Sequence, residues 1–142
     1  MIYADTNVLL ALYCRDSTSD AADRWAASVE ARIVTSWWTV VEFKAHIGLR
    51  ARKKHLSQAA ALAVLAVFER DFVISQKPLN TLSPHWEMAV AWLSNPALAL
   101  RSGDALHLAT SHGYDCENFV TFDADLARAA KKLELPIKLL RA

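Results

Sequence analysis

Met1-Ile2-Tyr3-Ala4-Asp5-Thr6-Asn7-Val8-Leu9-Leu10 opens the chain, and this stretch decides the fold. Met1–Ala4 is apolar and too short for a stable helix, so it reads as a buried strand. Asp5 ends it. Asn7–Cys14 then reads as a helix. A buried strand passing almost directly into a helix is the start of a βα unit.

The same alternation continues outward. Arg15-Asp16-Ser17-Thr18-Ser19 is a polar loop, and Ser19 is a candidate cap for a helix over Asp20–Glu30 that gathers Ala22, Trp25, Ala26 and Val29 on one face. Arg32–Thr35 reads as a second strand. Ser36 can cap a helix running to about Lys54, and Ser57 a helix over Gln58–Arg70. The latter is apolar nearly all round, which predicts a central place in the core. Phe72–Thr81 reads as a strand placed at an edge by Pro78. Ser83 is a candidate cap with Pro84 at the first helical position of a helix that runs to Ser94 and stops before Pro96. Ser102 is a candidate cap for Gly103–His112, ended by Gly113. Phe119–Phe122 is a strand, Ala124–Leu133 a helix and Ile137–Leu140 a last strand. Strands alternating with helices predict a parallel sheet covered on both faces, an α/β/α sandwich. The length, 142 residues, predicts one domain spanning residues 1–142.

Hydrophobic residues make up 54% of the chain, enough for a substantial core. The formal net charge is only +1, so any nucleic-acid surface has to be a local patch. Three glycines cannot build a dinucleotide-binding or P-loop fingerprint, and G-x-S-x-G is absent. Cys14 and Cys116 read as reduced, buried thiols. The longest uncharged apolar run, Ala59–Phe68, is too short to span a bilayer, and no basic segment precedes the apolar start. The expectation is a complete cytoplasmic protein with no membrane contact.

Chemistry concentrates in four acids. Asp5 and Asp123 each follow a strand, Asp104 opens a helix after Gly103, and Glu42 lies within Val40-Val41-Glu42-Phe43. Singly, Asp5 and Asp123 are candidate N-caps, Asp104 complements a helix dipole, and Glu42 could be a solvated helix residue. Jointly they lie where α/β sheets gather ligands, and acids in apolar surroundings are costly unless a cation joins them. The expectation is one site at the carboxyl ends of the strands. Thr6, Asn7 and Thr121 adjoin these acids and could orient them.

These motifs carry a resemblance. Ile2–Leu10, then Val40-Val41-Glu42, then Gly103-Asp104-Ala105-Leu106-His107-Leu108-Ala109, then Val120-Thr121-Phe122-Asp123-Ala124-Asp125-Leu126 resemble the ordered motifs of PIN-domain nucleases. The size resembles the toxin ribonucleases of VapBC-type toxin–antitoxin pairs. The resemblance implies a PIN-like α/β/α sandwich and hydrolysis of RNA. It implies Mg²⁺ or Mn²⁺ on Asp5, Asp104 and Asp123, with Glu42 completing the acidic cluster and Asp125 an addition. It also implies a small antitoxin that lays a basic side chain on the acids. Apolar helical faces in excess of one core predict a homodimer.

Arg50, Arg52, Lys53 and Lys54 form the one dense basic stretch, read as an RNA-binding rim with a solvated helix end as the alternative. Lys131 and Lys132 read as a solvated face. His107, His112 and Cys116 lack the partners of a zinc site, and His107 reads as a core or site-edge histidine. Trp25, Trp86 and Trp92 fit core faces. Of Trp37 and Trp38, at least one faces outward, where it could stack a base or anchor a peptide. Two other functions remain open: housekeeping RNA processing, and a phosphatase-like or receiver-like domain with Asp5 as phosphorylated nucleophile. Asn7, where the latter would want a second acid, speaks against it.

Overall fold

A computed structural model describes all residues, Met1–Ala142. Four parallel strands form one sheet: β1 (Ile2–Ala4), β2 (Ile33–Val34), β3 (Asn118–Thr121) and β4 (Ile137–Leu139), in the order β2-β1-β3-β4. Ile2 pairs with Ile33 on one side and Asn118 on the other, and Phe119 pairs with Ile137. Seven α-helices surround the sheet: α1 (Thr6–Tyr13), α2 (Ser19–Ala27), α3 (Trp37–Arg52), α4 (Gln58–Phe68), α5 (Ser83–Leu93), α6 (Ser102–Gly113) and α7 (Ala124–Lys132).

Strand alternation makes the three layers. Ala4 and Val120 face one side, packed with Val8 and Leu9 of α1, Phe43 and Ile47 of α3, and Phe68. Tyr3 and Phe119 face the other, packed with Leu108 of α6 and Leu126 and Ala130 of α7. Phe43 and Phe68 stack with ring centres 3.9 Å apart, as do Tyr3 and Phe119 at 5.2 Å. Ala89, Ala105 and Ala109 let α5 and α6 approach closely.

Several elements depart from the sequence expectations. Phe72–Thr81 is not an edge strand. The backbone continues from α4 into a π-helix, Glu69–Gln76, which Lys77 ends at positive φ, and only Leu79 pairs, with Ser36, in a single bridge. Burying Phe68 and Phe72 on one core face drives this continuation. Helix α4 is peripheral rather than central: Ala61 and Phe68 are buried, but Leu62 is 60% exposed. Trp25 lies in the core, whereas Trp86 is half exposed. Ser36 and Ser57 do cap α3 and α4, accepting from Thr39 N and Ala60 N. Ser19, Ser83 and Ser102 do not cap; each is the first residue of its helix, with Leu82 preceding α5. Ser19 is buried and donates to the Ala11 and Cys14 carbonyls, and no side chain caps α6. Gly113 is the last residue of α6, and Asp115 takes the positive φ; a Cβ on Gly113 would collide with His85.

Adjacent strands β1 and β3 lead to helices on opposite faces, α1 and α7. The sheet order reverses between them, which opens a crevice at their carboxyl ends.

Candidate active site

That crevice is a pocket of about 400 Å³. Asp5, Glu42, Asp104 and Asp123 all line it, with Thr6, Asn7, Trp38, His46, Arg101 and Gly103 among their neighbours. Each acid arrives on a different element.

Asp5 follows β1 and caps α1, accepting from Thr6 N at 2.7 Å. Capping and pocket lining are therefore compatible, because a carboxylate has two oxygens. Its second oxygen accepts from Asn7 Nδ2 at 2.9 Å and Thr121 Oγ1 at 2.6 Å. Asn7 also accepts from Phe122 N at 3.1 Å, tying α1 to the end of β3. Asp5 is 5% exposed. Burial raises its pKa, against the His107 charge and these hydrogen bonds.

Glu42 projects from α3. Thr6 Oγ1 donates to its Oε1 at 2.8 Å, and His107 Nε2 donates to the same oxygen. Burial works to raise the pKa of Glu42, yet the hydrogen bond and charge of His107, with Thr6, hold it below the ordinary value. His107 is fully buried on α6. Tyr3 Oη donates to Ser36 Oγ at 2.7 Å, so its lone pairs accept the Nδ1 proton of His107 at 2.8 Å. Burial would lower the histidine pKa; Tyr3, Glu42 and Asp5 around its ring raise it well above the usual value. A protonated imidazole donating at both nitrogens satisfies this geometry.

Asp104 sits in the first turn of α6 and Asp123 caps α7, accepting from Asp125 N at 2.8 Å and Leu126 N at 3.1 Å. Between them lies the Arg101 guanidinium: Nη2 is 3.0 Å from Asp123 and Nε is 3.5 Å from Asp104. Burial, then the nearby Asp5 charge, raises the pKa of Asp104 to about 6 despite Arg101.

Gly103 permits a close approach, but protein rather than ligand makes it. A Cβ there would lie 3.2 Å from Trp38 Nε1 and 3.3 Å from Glu42 Oε2. Trp38 Nε1 is buried without a hydrogen-bond partner.

The remaining candidates lie elsewhere. Asp125 is exposed, pairs with Arg128 at 2.7 Å and borders a separate hollow with Leu98, Ala129 and Lys132. Arg50, Arg52, Lys53 and Lys54 sit at the far end of α3, with Arg52 about 15 Å along the axis from Glu42 at the usual rise per residue. None of the four lines the pocket, and Arg50 is 4.0 Å from Asp16. The sequence reading missed the Tyr3–His107 support and the double role of Arg101. The signals were present: Arg101 is three residues before Asp104, and His107 three residues after it.

Four carboxylates with neutral oxygen donors and no thiol match a hard divalent cation. No three of the acidic and histidine side chains form a ready-made metal group in this arrangement. Protein donors hold Asp5 and Glu42, and Arg101 holds Asp104 and Asp123.

A PIN domain family model matches residues 2–132. No curated protein matches the chain. Solved structures do share its fold. FitAcB from Neisseria gonorrhoeae superposes with a TM-score of 0.73 at 18% identity, covering 96% of each chain. VapC20 of Mycobacterium tuberculosis, described as a sarcin-ricin loop cleaving toxin, gives 0.71 at 23%, covering 91% of this chain and 95% of its own. VapBC2 from Rickettsia felis, bound to a promoter DNA fragment, gives 0.68 at 14%, covering 99% and 100%. At these identities the likeness is one of fold. No helix is long and apolar enough to cross a membrane.

Proposed function

The chain belongs to the PIN domain family, and from that premise we propose that it is a metal-dependent endoribonuclease, the toxin of a type II toxin–antitoxin pair. The observation that carries this reading is the meeting of Asp5, Glu42, Asp104 and Asp123, from four separate segments, in one pocket. Asp5, Asp104 and Asp123 would hold Mg²⁺ or Mn²⁺. When bound, the cation supplies positive charge for the scissile phosphate and lowers the pKa of water.

The chain's own residues set the geometry. Thr121 and Asn7 hold Asp5 in one orientation, with its caps on α1 leaving little freedom. Thr6 and His107 fix Glu42 through Oε1, so Oε2 is the oxygen available to accept a proton from the attacking water. Water attacks phosphorus, the P–O3′ bond breaks, and the 3′ oxygen takes up a proton. The products are a 5′-phosphate and a 3′-hydroxyl. Asn7 and Thr121 fill one oxygen of Asp5 and Thr6 N takes one site on the other, leaving a lone pair there for a cation; Asn7, where a phosphorylated-nucleophile site would want a second acid, speaks against that alternative.

Arg52, Lys53 and Lys54 would meet phosphates flanking the cleaved one, beyond the pocket. The exposed Asp125 would act at most through the adjoining Asp123 cap. The half-exposed Trp37 and Trp86 beside Trp38, with Val41, offer an apolar face next to the acids. A small antitoxin with mixed apolar and Arg content suits that combination, and a homodimer would cover further apolar helix surface. The place of action would be the cytoplasm.

The test is cleavage of a labelled RNA by purified protein with Mg²⁺, with Mn²⁺ and with EDTA, followed by end-group analysis. Metal-dependent cleavage leaving 5′-phosphate is expected. Cleavage unaffected by EDTA, or 2′,3′-cyclic phosphate ends, would contradict the reading.

A further inference from the structure

Arg101 is the only Arg or Lys among the residues lining the acidic pocket. Its guanidinium bridges Asp104 and Asp123, yet its side chain is 76% exposed. It is therefore held by charge rather than by packing. It stands at the N-cap of α6, whose first turn no side chain caps, so the free backbone N–H groups of that turn lie beside it. The dense basic stretch at the other end of α3 is too distant to serve a phosphate in the pocket.

A divalent cation drawn to Asp104 and Asp123 competes with a monovalent guanidinium for the same oxygens. Once displaced, Arg101 stays tethered at the pocket rim. A planar fork with paired N–H donors suits a phosphate as well as a carboxylate. We propose that Arg101 is the substrate-phosphate hand of this pocket: it pairs with Asp104 and Asp123 in the cation-free protein and turns to an RNA phosphate beside the scissile bond when a divalent cation takes those carboxylates. This rests on the nuclease reading and adds a binding residue to it. It gives one side chain two opposed effects: competition with metal, and support of RNA.

Those effects separate on substitution. Metal affinity is read by Mn²⁺ titration calorimetry without RNA. RNA affinity is read by fluorescence anisotropy of a labelled single-stranded RNA with Ca²⁺ present, over a range of salt. Arg101→Gln should bind Mn²⁺ several-fold more tightly than wild type. It should bind RNA about tenfold more weakly, as loss of one charged hydrogen-bonded contact predicts, with a salt slope lower by about one. Arg101→Lys should keep the salt slope and recover part of the RNA affinity. Circular dichroism checks that both variants fold, as an exposed side chain allows. A purely structural role for Arg101 would move both affinities down together. Weaker or unchanged Mn²⁺ binding, or unchanged RNA binding, in Arg101→Gln overturns the proposal. If wild type binds neither Mn²⁺ nor RNA, the nuclease reading falls and takes the proposal with it. If wild type binds both and only the Arg101 pattern fails, the nuclease reading stands.

Discussion

The two halves of the acidic pocket are built differently. On the β1 side, Asp5 is buried and held by Thr6 N, Asn7 and Thr121, while Glu42 is held by Thr6 and a buried His107. On the α6–α7 side, Asp104 and Asp123 face an exposed arginine and are bridged by it alone across the pocket. One half is fixed before any ligand arrives. In the other, the α7 cap fixes one oxygen of Asp123, but Arg101 can leave the second oxygen and Asp104 at the cost of a solvent-screened ion pair, worth little in itself. Pre-organised donors hold geometry without reorganisation, whereas the loosely held pair leaves room for a cation.

The largest expected effect lies on the fixed side. Asp5→Asn should lower RNA cleavage at least about a hundredfold, the scale of removing one electrostatic group from a catalytic site. Its melting temperature without metal should fall modestly below that of wild type: Asn removes a buried charge, but its amide nitrogen cannot accept from Thr6 N, or from Asn7 and Thr121, as the replaced oxygen does. Near-normal turnover in the purified variant would end its catalytic assignment.

Next comes the support beneath Glu42. His107→Leu leaves Glu42 and Tyr3 without their buried partner and should cost about 2 to 4 kcal/mol in chemical denaturation. Tyr3→Phe keeps the stacking on Phe119 but takes the hydroxyl from both Ser36 and the Nδ1 proton of buried His107, and should cost about 1 to 3 kcal/mol. If His107→Leu proved as stable as wild type, the fixed half would not depend on this network.

The looser side should report through pH. In the folded protein the Asp104 pKa is raised from 3.8 to about 6, so between these values the folded state binds more protons than the unfolded one. Metal-free stability then falls as pH rises through that window, by an amount on the order of 2 kcal/mol. Asp104→Asn should flatten this slope. A stability curve that rises over the same window in wild type and variant alike would show that Asp104 does not titrate this way.

The smallest effect belongs to the far end of α3. Neutralising Arg52, Lys53 and Lys54 together should weaken RNA binding and lower its salt slope without changing turnover of bound RNA. A drop in turnover would bring that stretch into the pocket's own chemistry.

Much of this could be read from the chain because each acid sits at a punctuation mark. Asp5 and Asp123 end strands, and Asp104 opens a helix, so local pattern places all three at carboxyl ends of a parallel sheet. The four strands and all seven α-helices follow from hydrophobic period and punctuating residues. The π-helix does not, because Phe72 and Val73 look like strand residues until Phe68 and Phe72 are seen sharing one core face. Helix α4 misleads for the converse reason: apolar composition all round cannot say which face meets the core. The His107 network was hidden because its members, Tyr3, Ser36, Thr39 and His107, are distant in sequence and meet only through the fold. The basic stretch drew attention by density, yet position along α3 outweighs density, and a single arginine at the α6 cap stands closer to the acids.

The contrast between the halves is tested most directly by anomalous diffraction from crystals soaked in Mn²⁺. The expected result is a peak in the pocket ligated by Asp5, Asp104 and Asp123, with Asp5 and Glu42 keeping their hydrogen bonds and Arg101 turned away from Asp104 and Asp123. A peak confined to another part of the molecule, or an ion in the pocket with Arg101 still bridging the two aspartates, would contradict it.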